Sequence, residues 1–203
     1  IDKDLQRRLL AHAQEILGDC DLLVFSDFNY GVLPQPLVDE IVAFASSRGL
    51  IMAADSQCSS QVGDISRFHS MNLLTPTERE VRVSLKNQED GLVVVAEKLR
   101  HKAGAQNIML KLGSEGVLLH LEDMEGLPRT DRLPALNPAP IDVAGAGDSM
   151  LITAGMALAA RANAWQAAAL GSIAAGIQVG RLGNLPLTRE EFLRALQVPS
   201  GRS

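Results

Sequence analysis

The segment Asp142-Val143-Ala144-Gly145-Ala146-Gly147-Asp148-Ser149-Met150 runs straight into an apolar helical pattern. Its two closely spaced glycines allow a tight turn that presents bare amides at a helix N-terminus, where the helix dipole favours an anion. A phosphoryl group in transfer is such an anion. Asp148, in the first turn, would lie beside it and could accept the proton of a hydroxyl attacking phosphorus. A glycine-rich cap with an acidic first turn is also an ordinary way to begin a helix, so spacing alone leaves both readings open. A second segment, Lys111-Leu112-Gly113-Ser114-Glu115-Gly116, sets a cation beside two glycines. Any tight turn between strands favours such glycines, while an ammonium there could reach phosphates as a point charge.

The surrounding pattern says which elements hold these residues. Leu5, Leu9, Ile16 and Leu17 recur at helical spacing up to Gly18, which predicts an amphipathic helix. Leu22-Leu23-Val24-Phe25 is a short continuous apolar run, the mark of a buried parallel strand, and it ends at Ser26-Asp27. Pro34 opens a helix through Ala45 that Gly49 closes. Leu50 to Ala54 repeats the strand pattern and ends on Asp55. Met71 to Leu74 is a third strand, followed by helices over about 78–86 and 91–103. Asn107 to Lys111 and Gly116 to Leu119 are strands on either side of the 113–116 turn. From Gly126 to Pro140 four prolines and no helical period predict a connecting loop or an edge strand. Helices follow over about 146–161, 164–179 and 188–196, the last with a Thr188/Glu191 capping-box spacing. Strands alternating with helices predict an α/β fold, a parallel sheet with helices on both faces. Ligands of such sheets sit at the carboxyl ends of the strands, here Asp27, Asp55, Thr75 and Lys111.

Composition narrows the function classes. A hydrophobic content of 46% over 203 residues supports one sizeable core, filled by Leu, Ile, Val and Ala because aromatics are only 3%. A net charge of -5 argues against nucleic acid, which needs a basic stripe. The chain has no apolar run long enough to span a membrane and no signal-peptide pattern. Cys20 and Cys58 make no disulfide framework, which points to the cytoplasm. His12, His69, His101 and His120 are scattered, without metal-ligand spacing. The chain opens at Ile1 directly into a helical pattern and reads as a piece of something longer.

Asp142 to Asp148 resembles the second signature of ribokinase-type (PfkB family) sugar kinases, Asp-Thr-x-Gly-Ala-Gly-Asp, with Val143 in place of the Thr. The resemblance implies that Asp148 is the catalytic base and that Gly145, Ala146 and Gly147 form the anion hole. The Lys111 to Gly116 segment is similar to the family's Thr-x-Gly-x-x-Gly turn, so Lys111, Gly113 and Gly116 would contact nucleotide, Lys111 replacing the Thr. Thr75-Pro76-Thr77-Glu78-Arg79-Glu80 resembles the family's Asn-x-x-Glu motif, which organises magnesium and phosphate. Glu80 holds the Glu position and Thr77 replaces the Asn; helix capping by the same residues stays open. Ala174 to Gly183 looks like the helix and loop that close over adenine, with Ala175 and Gly176 as nucleotide contacts and Ser172 where many members carry Asn.

Within the family, Ser26-Asp27-Phe28-Asn29-Tyr30-Gly31-Val32-Leu33 is similar to the Ser-Asp-Tyr-x-Lys-Gly-Val-Leu run of heptose 7-phosphate kinases, which gives Asp27 as a substrate-binding residue. Tyr30 replaces the lysine of that run, and Asp55-Ser56-Gln57 replaces Asp-Pro-Lys, so a different sugar is an open alternative. The resemblance covers about the last two thirds of a typical member, residues 1–203 forming its nucleotide-binding and catalytic portion. The fold is then expected to be ribokinase-like, a mostly parallel sheet with helices on both faces, incomplete at its N-terminal side. It implies ATP and Mg2+, a monovalent cation near Asp142, a sugar or sugar-phosphate substrate, and a homodimer for the full-length form. Two rivals remain at this point: a kinase of the same family for another sugar or nucleoside, and a nucleotide-binding module without turnover.

Overall fold

The computed structural model describes residues 1–57, 63–122, 128–137 and 139–197. Cys58, Gly126 and Pro138 lie outside the described residues. Chain order is α1 (Lys3–Leu17), β1 (Leu22–Asp27), α2 (Gln35–Ser47), β2 (Ile51–Ser56), β3 (Leu73–Leu74), α3 (Glu78–Leu85), α4 (Leu92–Ala103), β4 (Asn107–Lys111), β5 (Val117–Glu122), β6 (Pro128–Leu133), α5 (Ala146–Ala159), α6 (Ala164–Val179) and α7 (Arg189–Leu196). Local chemistry sets several of these ends. Asp2 caps α1 by accepting from Leu5 N at 2.8 Å, and Gly104 ends α4 in the left-handed conformation. Reciprocal capping boxes open α3 (Thr77/Glu80), α6 (Asn163/Gln166) and α7 (Thr188/Glu191).

The strands form one sheet in the order β1-β2-β3-β4-β5-β6. β1 to β4 are parallel, whereas β4-β5 and β5-β6 are antiparallel. The sheet is thus mostly parallel, as expected, and its antiparallel part is confined to β5 and β6. The reason is length: parallel neighbours need a crossover of a dozen or more residues, and the 113–115 turn is too short for one. The third strand is also shorter than the apolar run predicts. Asn72 Oδ1 accepts from Met52 N at 2.7 Å, so a side chain takes the place of a ladder carbonyl there.

Helices cover both faces, and the strands show the pleat alternation that this requires. Met52, Ala54, Leu74, Ile108 and Leu110 face α2 and α4, meeting Val38, Ile41, Val95 and Leu99. Ala53, Leu73, Met109 and Leu119 face α5 and α6, meeting Met150, Leu151, Ala154 and Ala168. Small residues allow the closest approaches. A Cβ on Gly171 would lie 3.0 Å from Met150 O, and one on Gly155 would lie 3.3 Å from the Leu22 side chain. Part of the proline-bearing segment is an edge strand: β6 starts at Pro128, ends just before Pro134 and closes one side of the sheet, with Arg129, Asp131 and Arg132 exposed. No helix among the described residues is long and apolar enough to cross a membrane.

Candidate functional site

The carboxyl ends of β2 and β4, the 113–116 turn and the start of α5 surround one cleft of about 630 Å³, within the usual range for a small-molecule site. Asp148 lies in its wall, half-buried, in the first turn of α5. The α5 N-cap is Gly145, at φ 75, a conformation that glycine takes without strain. It also has no room for a side chain, because Asn184 stands where a Cβ would go. Behind the turn Gln178, fully buried, donates to Ala144 O at 3.0 Å and Gly183 O at 3.1 Å. Asp142 accepts from Ala144 N and Gly183 N, each at 3.0 Å, and these backbone donors hold its carboxyl below the usual range. Two successive loops are therefore tied to one glycine turn.

The cleft's lining includes Gly145, Ala146 and Gly147 beside Asp148. Of the three expected anion-hole amides, that of Gly145 has no acceptor among the described residues and that of Ala146 is bonded to Val143 O at 3.2 Å. The next two, Gly147 N and Asp148 N, have no acceptor among the described residues, as the first turn of a helix dictates. Lys111, Gly113 and Gly116 line the opposite side, and Ser172, Ala175 and Gly176 line the wall made by α6. The glycine at 116 is demanded by the fold itself. It has φ 87, and a Cβ there would run into the backbone of Leu133, Pro134 and Ala135. Gly113, at φ 61, has open space where a Cβ would be.

Glu80 also reaches the cleft, buried, with Oε2 accepting from Thr77 N at 2.6 Å in the α3 capping box. Lys111 pairs with Asp55 at 2.5 Å, and burial pushes the Asp55 carboxyl up although Lys111 opposes this. Asp27 is placed elsewhere. It is 5% exposed and accepts from Arg67 Nη2 at 2.7 Å and Asn29 N at 2.9 Å, beside a separate groove along β1. It does stand at a strand end, with one carboxylate oxygen engaged by Arg67 and the other by the Asn29 amide.

Four residues escape the sequence reading. Ser26 Oγ, on β1, donates to Asp148 Oδ1 at 3.5 Å. Leu136 and Asn137 form a wall, with Asn137 Nδ2 donating to Gly176 O at 3.1 Å. Gln178 is the fourth; an amide amid the small apolar residues of the second half of α6 was its available signal.

The cleft presents both polar and apolar groups to a ligand. Ser172 Oγ is buried without a hydrogen-bond partner among the described residues, and the exposed apolar side chains of Leu136 and Val143 stand at the mouth. No group of three or more His, Cys, Asp or Glu able to hold a metal converges among the described residues. Mg2+ held through one or two carboxylates and nucleotide phosphates needs no such group, and the Glu80 carboxylate lines the cleft.

Known proteins resemble this chain over nearly its full length. The bifunctional protein HldE of Shewanella sp. (strain ANA-3) is 31% identical over 204 residues, spanning 100% of this chain and 41% of that protein. Its counterpart in Desulfatibacillum aliphaticivorans is 31% identical over 201 residues, covering 97% of this chain and 39% of its own length. The chain thus spans less than half the length of these curated relatives. Phosphofructokinase-2 from Escherichia coli, solved in complex with potassium, superposes with a TM-score of 0.78 at 18% identity, over 96% of this chain and 62% of that one. Ribokinase from Thermotoga maritima gives 0.70 at 25% identity, over 91% and 59%. The fold is ribokinase-like. The model of the pfkB family carbohydrate kinases matches residues 2–188, and the chain belongs to that family.

Proposed function

We propose that this chain carries the nucleotide site and the catalytic base of an ATP-dependent phosphotransferase acting on a sugar or sugar-phosphate hydroxyl, in the manner of a heptose 7-phosphate kinase. The observation that carries this is Asp148 in the wall of a cleft where, among the described residues, the Gly147 and Asp148 amides have no acceptor and the Ser172 hydroxyl has no partner. The two amides, at the positive end of α5, would stabilise charge developing on the transferred group. Asp148 would take the acceptor's proton, with Ser26 fixing one of its oxygens. Ala175 and Gly176 would let the base lie close to α6, and Lys111 would face the phosphates. ATP supplies the phosphoryl group, with Mg2+ beside Glu80. A monovalent cation would sit near Asp142, whose two oxygens each accept one amide and keep further lone pairs. The expected setting is the cytoplasm, where ATP is available, and the expected assembly is a homodimer of the full-length form.

A second reading draws on the acceptor side. Phe28, Tyr30 and Val32, just beyond β1, are exposed, and Asp27 is committed to Arg67. This chain by itself would then bind nucleotide without positioning an acceptor. Asp148→Asn in the full-length protein separates the chemistry from binding. It should lower kcat by about 10²–10⁴, the usual worth of a general base, with ATP affinity nearly unchanged. A variant keeping more than about a third of wild-type kcat would refute the base.

A further inference from the structure

Lys111 is the only cationic side chain among the described residues lining the cleft, which also presents the carboxylates of Glu80 and Asp148. A nucleotide polyphosphate entering this space brings several negative charges, and the protein offers one ammonium to meet them. That ammonium is already engaged. Its Nζ lies 2.5 Å from Asp55 Oδ2, with the Lys111 side chain 15% exposed and that of Asp55 3% exposed. The other Asp55 oxygen accepts from Ser56 N at 3.0 Å. Among the described residues Lys111 Nζ donates to no other acceptor, although an ammonium carries three donors.

The pair also sits against the turn that starts α5. A Cβ on Gly147 would lie 3.2 Å from Lys111 Nζ and 3.7 Å from Asp55 Oδ2. Because residue 147 is glycine, no side chain separates the ammonium from the unpaired Gly147 amide. A flexible four-carbon stem lets Nζ turn between acceptors only a few ångströms apart, as a rigid guanidinium fork would not.

We propose, on the footing of the nucleotide reading above, that Asp55 and the nucleotide phosphates compete for Lys111. Asp55 is the resting partner of a tethered counter-cation, and binding of a polyphosphate requires the ammonium to exchange one anion for the other. Asp55 is thereby a positioning residue that opposes phosphate binding twice, by its own charge and by holding the lysine. An ion pair that only stabilises the fold would have the opposite signature, since its loss would weaken binding or leave it unchanged.

The test compares ADP with adenosine, both in EDTA, by calorimetry on the wild type, Asp55→Asn, Lys111→Met and the double variant Asp55→Asn/Lys111→Met. Adenosine affinity should stay within about twofold throughout, because adenosine carries no phosphate. ADP affinity should rise in Asp55→Asn and fall by about tenfold or more from that variant to the double variant, the usual worth of a charge-assisted hydrogen bond. The double variant leaves no unpaired buried charge, so the comparison holds even where Lys111→Met alone does not fold. Equal ADP affinity in Asp55→Asn and the double variant overturns the exchange while leaving the nucleotide site intact. A fall in ADP affinity in Asp55→Asn also overturns it. A wild type that binds neither ADP nor adenosine overturns the nucleotide reading and the exchange together.

Discussion

Glu97, on α4, gathers four donors on one carboxylate. Arg100 reaches it with Nε at 2.8 Å and Nη2 at 3.2 Å, His120 Nε2 lies 2.7 Å away and His101 Nε2 2.8 Å away. The hydrogen bonds from Arg100, with those from His120 and the charges of both, outweigh burial and hold the carboxyl at about 2 against an ordinary 4.5. A depressed carboxylate contributes stability that is complete above its unfolded value and is lost as pH falls through the folded one. The window is therefore pH 4.5 down to about 2. Urea unfolding at a series of pH values should show Glu97→Gln less stable than wild type at pH 7, with a shallower loss across that window. An unchanged slope would mean that other carboxylates dominate acid unfolding. None of this was legible in the sequence. Glu97 and His101 share a helix face by spacing, but His120 arrives from β5 and its other nitrogen meets Thr130 on β6. The place of Asp148 in the first turn of α5 was legible, because a glycine turn leading into a helix is a local pattern.

At the scale of elements, caps, glycine stops and apolar runs placed the helices and most strands within a few residues. All of these are local signals. The antiparallel half of the sheet was less visible, since β6 is polar and carries proline at its start. The role of Gly116 depends on that hidden partner. The glycine-rich turn suggested close approach to a ligand, whereas the structure shows the end of β6 packed where a Cβ would be. Gly116→Ala should therefore destabilise the protein by about 2 kcal/mol or more, from the positive φ together with the backbone collision. Gly113→Ala, strained in φ but unobstructed, should cost about 1 kcal/mol. Denaturant midpoints for the two variants check the order. Equal losses would mean that β6 yields easily to residue 116.

Across the whole molecule the two edges of the sheet differ. β6 shows charge to solvent, while the groove of about 600 Å³ along β1 is lined by Leu17, Leu23, Phe25, Leu33 and their neighbours, with Phe28, Tyr30 and Val32 exposed beside it. Charged edges resist pairing with other chains, and an apolar one invites it. The sequence supplied the apolar run of β1 but not its position at an edge, because strand order is a long-range property.

The β4-β5-β6 meander bears on the time course of folding. Lys111 meets Val117 across a single turn, whereas Leu73 meets Asn107 only after α3 and α4 have been threaded between them. Closing short loops costs less entropy, so contacts near in sequence form early and parallel crossovers late. Pulse-labelled hydrogen exchange during refolding should find the Leu118 and Leu119 amides protected before those of Leu23 and Phe25. The reverse order would place the nucleus in the parallel half. With the meander first, the turn that carries Lys111 is set early, and the Asp55 strand must find its lysine already in place.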